Sequence, residues 1–231
     1  MSHPLDNLAW HALGTVHAGF AESRGRARRY HPDVSVFTAV DHLDEEAWAD
    51  VAALAGADGS VVLFQGERPA APAGWTEVAR AVGNQMTAAA IAEVDEAPAV
   101  RLGAADVPAM LELIEATRPG PFRPRTVELG DYWGVRDGGR LVAMAGERLR
   151  VPGWTELSAV CTHPDARGRG LAAALSAQVV RGILGRGDQA VLHVADGNDG
   201  ARRLYERLGF ALRRQVHFAV LQVPVTVTPP S

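Results

Sequence analysis

The chain has 231 residues, 47% of them hydrophobic and 22% charged, which fits a soluble globular protein of one large domain or two small ones. A net charge of −4 gives no general attraction to nucleic acid, no apolar run approaches the roughly 20 residues that span a bilayer, and residues 1–6 lack the basic start and apolar middle of a signal peptide. The single cysteine, Cys161, rules out an internal disulfide and a cysteine-rich zinc site and suits a reducing cytoplasm, and all 23 basic residues are arginine, which leaves no lysine to serve as base, Schiff-base former or phosphate clamp.

The first half, residues 1–95, reads as a small mixed α/β unit. Residues 8–21 carry Leu8, Leu13, Val16 and Phe20 at helical spacing. Residues 34–40 alternate like a strand. Asp44, Glu45 and Glu46 open a helix that runs to about Leu54, with acids in the first turn where the dipole favours them. Residues 60–64 make a short apolar strand, 69–74 a loop, 75–86 another strand, and 88–98 a linker. The second unit, residues 99–225, starts with a strand at 100–102 and a helix at 104–117 with Val107, Met110, Leu111 and Ile114 on one face. Pro119, Gly120 and Pro121 break that helix. Strands at 132–136 and 141–149 meet at the hairpin signal Asp137-Gly138-Gly139, and Pro152-Gly153 turns into a strand at 156–162. A helix at 171–184, a strand at 190–194, a helix at 200–208 and strands at 210–214 and 217–223 complete the order. This is an α/β (α+β) arrangement with a mixed sheet rather than a doubly wound one.

The chemistry centres on Thr162-His163-Pro164-Asp165-Ala166-Arg167-Gly168-Arg169-Gly170-Leu171-Ala172, where a strand ends, a loop follows and a helix begins. Free helix N–H groups, the positive end of the dipole, two glycines that admit a ligand close to backbone and two arginines make an anion site suited to a pyrophosphate. The same letters match the dinucleotide fingerprint G-x-G-x-x-G/A through Ala173, with Asp196 near the end of the next strand. The context opposes that reading, because the preceding strand is not mostly apolar, follows an antiparallel meander, and no second βαβ half remains. Arg24-Gly25-Arg26-Ala27-Arg28-Arg29 has no helix N-terminus facing it and reads as a solvated basic turn.

With these motifs the sequence resembles the GNAT acyltransferase superfamily. The family's cofactor loop, Arg/Gln-x-x-Gly-x-Gly/Ala, stands as Arg167 to Ala172, and its second signature stands complete as Asn198, Ala201, Leu204, Tyr205, Leu208, Gly209 and Phe210. The stretch from Glu156 to Pro164 is similar to the glycine-acyltransferase-like subgroup. The resemblance implies a GNAT-like fold in the second half, preceded by a smaller α/β unit that is a degenerate copy. It implies that Val160, Cys161 and Thr162 pair with a pantetheine arm, and that the loop from Arg167 through Gly168, Arg169, Gly170 and Leu171 to Ala172 holds the pyrophosphate. Asn198 contacts the pantetheine or caps the following helix. Tyr205 is the implied general acid, and Glu156, with Glu147 as second candidate, the implied base. Either glutamate can instead bind a cationic substrate or pair with Arg148. Cys161 admits a ping-pong nucleophile reading against inert packing, and His163 and His193 read as structural, without metal. Arg123 and Arg125, in the segment after the first helix of this half, are candidates for an acceptor carboxylate. The expected function is transfer of acetyl from acetyl-CoA to a small-molecule or peptide amine, in the cytoplasm, by a monomer or homodimer; the alternatives are O- or thiol-acylation and a non-catalytic acyl-CoA sensor.

Overall fold

The structure, a computed structural model, describes residues 3–224, so Met1, Ser2 and the expected boundary at residue 225 lie outside it. The first half forms α1 (Leu8–Gly14), β1 (Ala21–Arg24), β2 (Ala27–Tyr30), β3 (Thr38–Val40), α2 (Glu45–Ala55), β4 (Ser60–Gln65) and β5 (Thr76–Ala88). The second forms β6 (Val100–Leu102), α3 (Val107–Thr117), β7 (Tyr132–Asp137), β8 (Arg140–Val151), β9 (Trp154–Thr162), α4 (Leu171–Gly185), β10 (Gln189–Ala195), α5 (Asp199–Arg207) and β11 (Ala211–Gln222).

Local chemistry accounts for most of these bounds. Asp44 caps α2 by accepting the Ala47 N–H at 2.9 Å, with Glu45 and Glu46 in the first turn. Gly138 and Gly139, both at positive φ, make the two-residue turn between β7 and β8. The helix expected over residues 8–21 stops at Gly14, where the Arg28 guanidinium occupies the place a Cβ would take and stacks on Trp10 at 3.7 Å. Val16, expected on its apolar stripe, is consequently exposed. The strand expected over 34–40 shrinks to β3, and the two strands expected after Gly209 are one, β11, with a bulge between Leu212 and Arg214. The Arg24-to-Arg29 stretch is the β1–β2 hairpin, and Arg26 is held by Asp44 and Asp50.

The sheet reveals an exchange between the halves. Eight strands lie in the order β4-β11-β5-β10-β9-β8-β7-β6, with β9 and β10 parallel and every other neighbour antiparallel. A separate sheet, β1-β2-β3, is tied to β4 by a parallel bridge from Phe37 to Val62. Both halves therefore run helix, three-strand meander, helix, strand. Each then places its final strand in the other: β5 pairs with β10, and β11 pairs with β4. The sheet crosses the boundary expected between residues 95 and 99. The helices α1 and α3 pack on one face, where Phe64, Val191 and Met144 lie. The helices α2, α4 and α5 pack on the other, over Leu63, Leu221, Leu192 and Val194.

Candidate functional site

The parallel pair β9–β10 is short. Trp154, Thr155 and Glu156 face Gln189, Ala190 and Val191, and there the ladder ends. Beyond it β10 continues along β5 to Ala195 and β9 along β8 to Thr162, so the two strands part like a V. Inside the opening β9 bulges. Its register against β8 jumps between Met144 and Gly146, and Ala159 takes the left-handed region at φ 54. That conformation costs an alanine about 1–2 kcal/mol, and a bulge leaves the extra residue out of the ladder. The gap thus exposes unpaired backbone suited to an extended ligand.

The opening leads to the loop before α4. His163 caps the turn Pro164–Ala166 by accepting the Asp165 N–H at 3.3 Å, and Arg167 Nε donates to the Thr162 carbonyl at 3.3 Å. Gly168 (φ 76) and Gly170 (φ 73, the N-cap of α4) adopt backbone that favours glycine, and a Cβ on either would meet open space. The first N–H groups of α4 have no intrahelical acceptors. Arg169 is exposed and paired with Asp137 at 2.8 Å, and Arg167 is exposed beside it. Thr162 Oγ1, buried where the gap meets the loop, has no hydrogen-bond partner among the described residues. A glycine-lined cradle with an orphaned hydroxyl at its inner end fits a pyrophosphate and the arm attached to it.

Three other expected residues border the opening. Asn198 caps α5, its Oδ1 accepting the Ala201 N–H at 3.2 Å, which leaves its amide donors free. Tyr205, on α5, is buried among the residues packed under α4; burial, with the nearby Cys161, pushes its hydroxyl up to about 12. Burial also raises the Cys161 thiol to about 11, only partly offset by bonds with Thr117 and Met144. It stays a thiol at neutral pH, which removes the attacking species a ping-pong route needs.

The two glutamates lie on opposite faces of the sheet, and the geometry opposes either as a base. Glu156 is fully buried on the α1/α3 face. Arg148 Nη2 and Nε donate to its two oxygens at 2.7 and 2.9 Å, His193 Nδ1 to Oε1 at 2.7 Å, and the Leu149 N–H to Oε2 at 3.3 Å. These four bonds fill the carboxylate's lone-pair sites. Burial alone would raise its pKa, but the Arg148 charge and these hydrogen bonds hold it at about 2. So acidic and saturated a group takes no proton from an amine; of the alternatives expected for it, pairing with Arg148 is the one found. Glu147 is buried on the α4 face, paired with Arg186 at the far end of α4 and bonded to the Asp131 N–H. Its backbone lies opposite Leu157, and its carboxylate is turned to the C-terminal end of α4 rather than to the N-terminal end that the cradle adjoins. Arg125 is engaged by Glu128 at 2.7 and 2.8 Å, whereas the exposed Arg123 side chain has no ion-pair partner among the described residues.

Sequence reasoning missed the Ala159 bulge, for which an alanine gives no signal, and Gln85, which β5 brings from the first half to within 3.0 Å of His193. Among the described residues no three His, Cys, Asp or Glu side chains are grouped to hold a metal ion, and no helix is long and apolar enough to cross a membrane.

Comparison with known proteins adds three findings. Residues 132–219 match the family model described as FR47-like protein. Comparison with curated proteins gives no match. Among solved structures, a GNAT-family protein from Novosphingobium aromaticivorans DSM 12444 is 40% identical, with 95% of this chain and 98% of that chain covered and a TM-score of 0.89. A GCN5-related N-acetyltransferase from Kribbella flavida shares the fold at 21% identity, covering 94% and 95% with a TM-score of 0.59. A GNAT-family acetyltransferase from Colwellia psychrerythraea does so at 12%, covering 96% and 97% with a TM-score of 0.52. The parted parallel strands, the glycine cradle and this full-length similarity together establish that the chain belongs to the GNAT family.

Proposed function

We propose that the protein is an acyl-CoA-dependent N-acyltransferase that moves an acetyl group from acetyl-CoA to a primary amine by direct attack in a ternary complex. The observation that carries this is the parting of β9 and β10 into the open cradle before α4. In this reading the backbone of Val160, Cys161 and Thr162 takes the pantetheine arm like an added strand. Loop amides from Gly168 to Ala172 hold the pyrophosphate, Arg167 and Arg169 add charge, and the free amide of Asn198 reaches the arm. The co-substrate supplies an activated thioester. Tyr205 keeps its proton at every ordinary pH. Against a thiol of pKa about 8.5, full proton transfer from a group at about 12 is uphill by about 5 kcal/mol. The hydroxyl therefore acts first as a hydrogen-bond donor to the departing sulfur, and the proton the nitrogen sheds on acylation balances the one the sulfur gains.

The acceptor must lose a proton before it attacks, which for an amine of pKa about 10.4 costs roughly 4–5 kcal/mol at pH 7. With Glu156 saturated and Glu147 turned to Arg186, water at the mouth of the gap takes that proton. Arg123 is left to meet a carboxylate on a small-molecule or peptide acceptor, the kind of substrate suggested by the glycine-acyltransferase-like letters of residues 156–164. The same reading places the protein in the cytoplasm as a monomer or homodimer, without nucleic acid or membrane. Mass spectrometry of amine panels incubated with acetyl-CoA tests it, alongside calorimetry of acetyl-CoA binding to wild type and Gly170→Asp. Binding that Gly170→Asp abolishes, with acetylated product, supports it. Binding without product on any amine leaves a sensor, and unchanged affinity in Gly170→Asp refutes the cradle.

A further inference from the structure

The first half supplies more than a strand to the sheet. Gln85 is fully buried in β5, on the face where Glu156 and His193 lie. Its amide orientation follows from its other partners. The Leu5 carbonyl, 2.9 Å away, can only accept, so it faces the amide nitrogen. Arg213 Nη1, 2.7 Å away, can only donate, so it faces the amide oxygen. Arg213 is itself held by Asp6, which Arg214 also grips, at 2.8 and 2.9 Å. Flipping the amide would set carbonyl against carbonyl and NH₂ against guanidinium. The Gln85 nitrogen, 3.0 Å from His193 Nε2, is therefore a donor, and Nε2 is an acceptor without a proton. The ring's proton sits on Nδ1, which donates to Glu156 at 2.7 Å.

We propose that Gln85 is a positioning residue that locks His193 in the neutral Nδ1–H form, so that Arg148, Glu156 and His193 present no net charge and no free carboxylate lone pair beneath the gap between β9 and β10. The neighbouring groups on this face add no free carboxylate. His17, bonded to the Tyr30 hydroxyl at 2.9 Å, is lowered to about 4 by burial and is neutral at pH 7. Asp6 is gripped by both Arg213 and Arg214, so that cluster carries one net positive charge and offers no free carboxylate. Such a floor offers no carboxylate that would trap an acceptor as its unreactive ammonium. This kinetic consequence rests on the acyltransferase reading; the tautomer does not.

Long-range ¹H–¹⁵N NMR of ¹⁵N-histidine-labelled protein at pH 7, with the His193 signals assigned by their loss in His193→Gln, reads the lock directly. One protonated nitrogen, Nδ1, and one bare nitrogen, Nε2, are expected in wild type. A protonated Nε2, alone or with Nδ1, overturns the proposal whatever the protein acts on. In Gln85→Glu the new carboxylate accepts a hydrogen bond from Nε2–H and so draws a proton onto that nitrogen, leaving both nitrogens protonated; an unchanged pattern in that variant, with wild-type circular dichroism, also overturns it. A wild-type NMR pattern as expected, with no amine acetylated, keeps the lock and removes the acyltransferase reading instead. If Gln85→Glu does not fold, the wild-type spectrum alone still decides.

Discussion

In the proposed reaction the departing sulfur meets the Tyr205 hydroxyl, and Tyr205→Phe removes it with little change in shape. We expect kcat to fall by about 10²–10⁴-fold with acetyl-CoA affinity preserved, measured by steady-state kinetics and calorimetry. Glu156→Gln is expected to behave differently from the loss of a base. It leaves the buried Arg148 charge uncompensated, so the variant loses about 3–5 kcal/mol of stability in urea unfolding. Wild type carries the matching pH signature. The Glu156 pKa is depressed from 4.5 to about 2, so its contribution, on the order of 3 kcal/mol, is complete above pH 4.5 and lost as pH falls toward 2. The same depression means that Glu156 adds no inflection to kcat/KM between about pH 5 and 9. The letters around Glu156 placed a carboxylate on the correct strand and named Arg148 as a possible partner. They could not reveal that every lone pair is filled, because His193 and the Gln85 behind it arrive from 37 residues after and 71 residues before it in the chain.

Among the elements, the loop-to-helix junction before α4 was the most readable, since glycines, arginines and a helix start are all local in sequence. Its two glycines are needed for their backbone angles as well as for space. Gly168→Val is expected to strain the loop by about 1–2 kcal/mol and fill the cradle, weakening acetyl-CoA binding in calorimetry at least tenfold while the melting temperature drops only a few degrees. The hairpin at Asp137-Gly138-Gly139 and the capped α2 were legible for the same local reason. Strand β11 was not. Its bulge between Leu212 and Arg214 follows from matching a partner more than 120 residues away, and a local pattern carries no record of that partner. Strand β5 likewise reads as a strand, but nothing in residues 76–88 says that it lies between β10 and β11.

Taken whole, the molecule is two similar halves joined by a traded strand. Separating them at the linker after β5 should therefore not yield two stable domains. A fragment of residues 99–231 lacks the neighbour of both β10 and β11 and should aggregate on size-exclusion chromatography. Co-expression with residues 1–95 should restore a soluble heterodimer. The degenerate copy implied by the resemblance has a structural parallel in the repeated order of helix, meander, helix and strand. The junction between β3 and α2 in the first half carries Asp41, Asp44, Glu45 and Glu46 in place of arginine and glycine, which opposes a phosphate there.

The trade also sets a timetable for synthesis. Strand β5 leaves the ribosome early, yet both of its sheet neighbours are made at least 100 residues later. Until β11 is complete, a nascent chain holds β5 with one long edge unpaired and an unfinished pocket. Arrest or truncation just short of residue 211 would thus yield a chain that already carries every cradle residue and Tyr205 but has no assembled site to put them in.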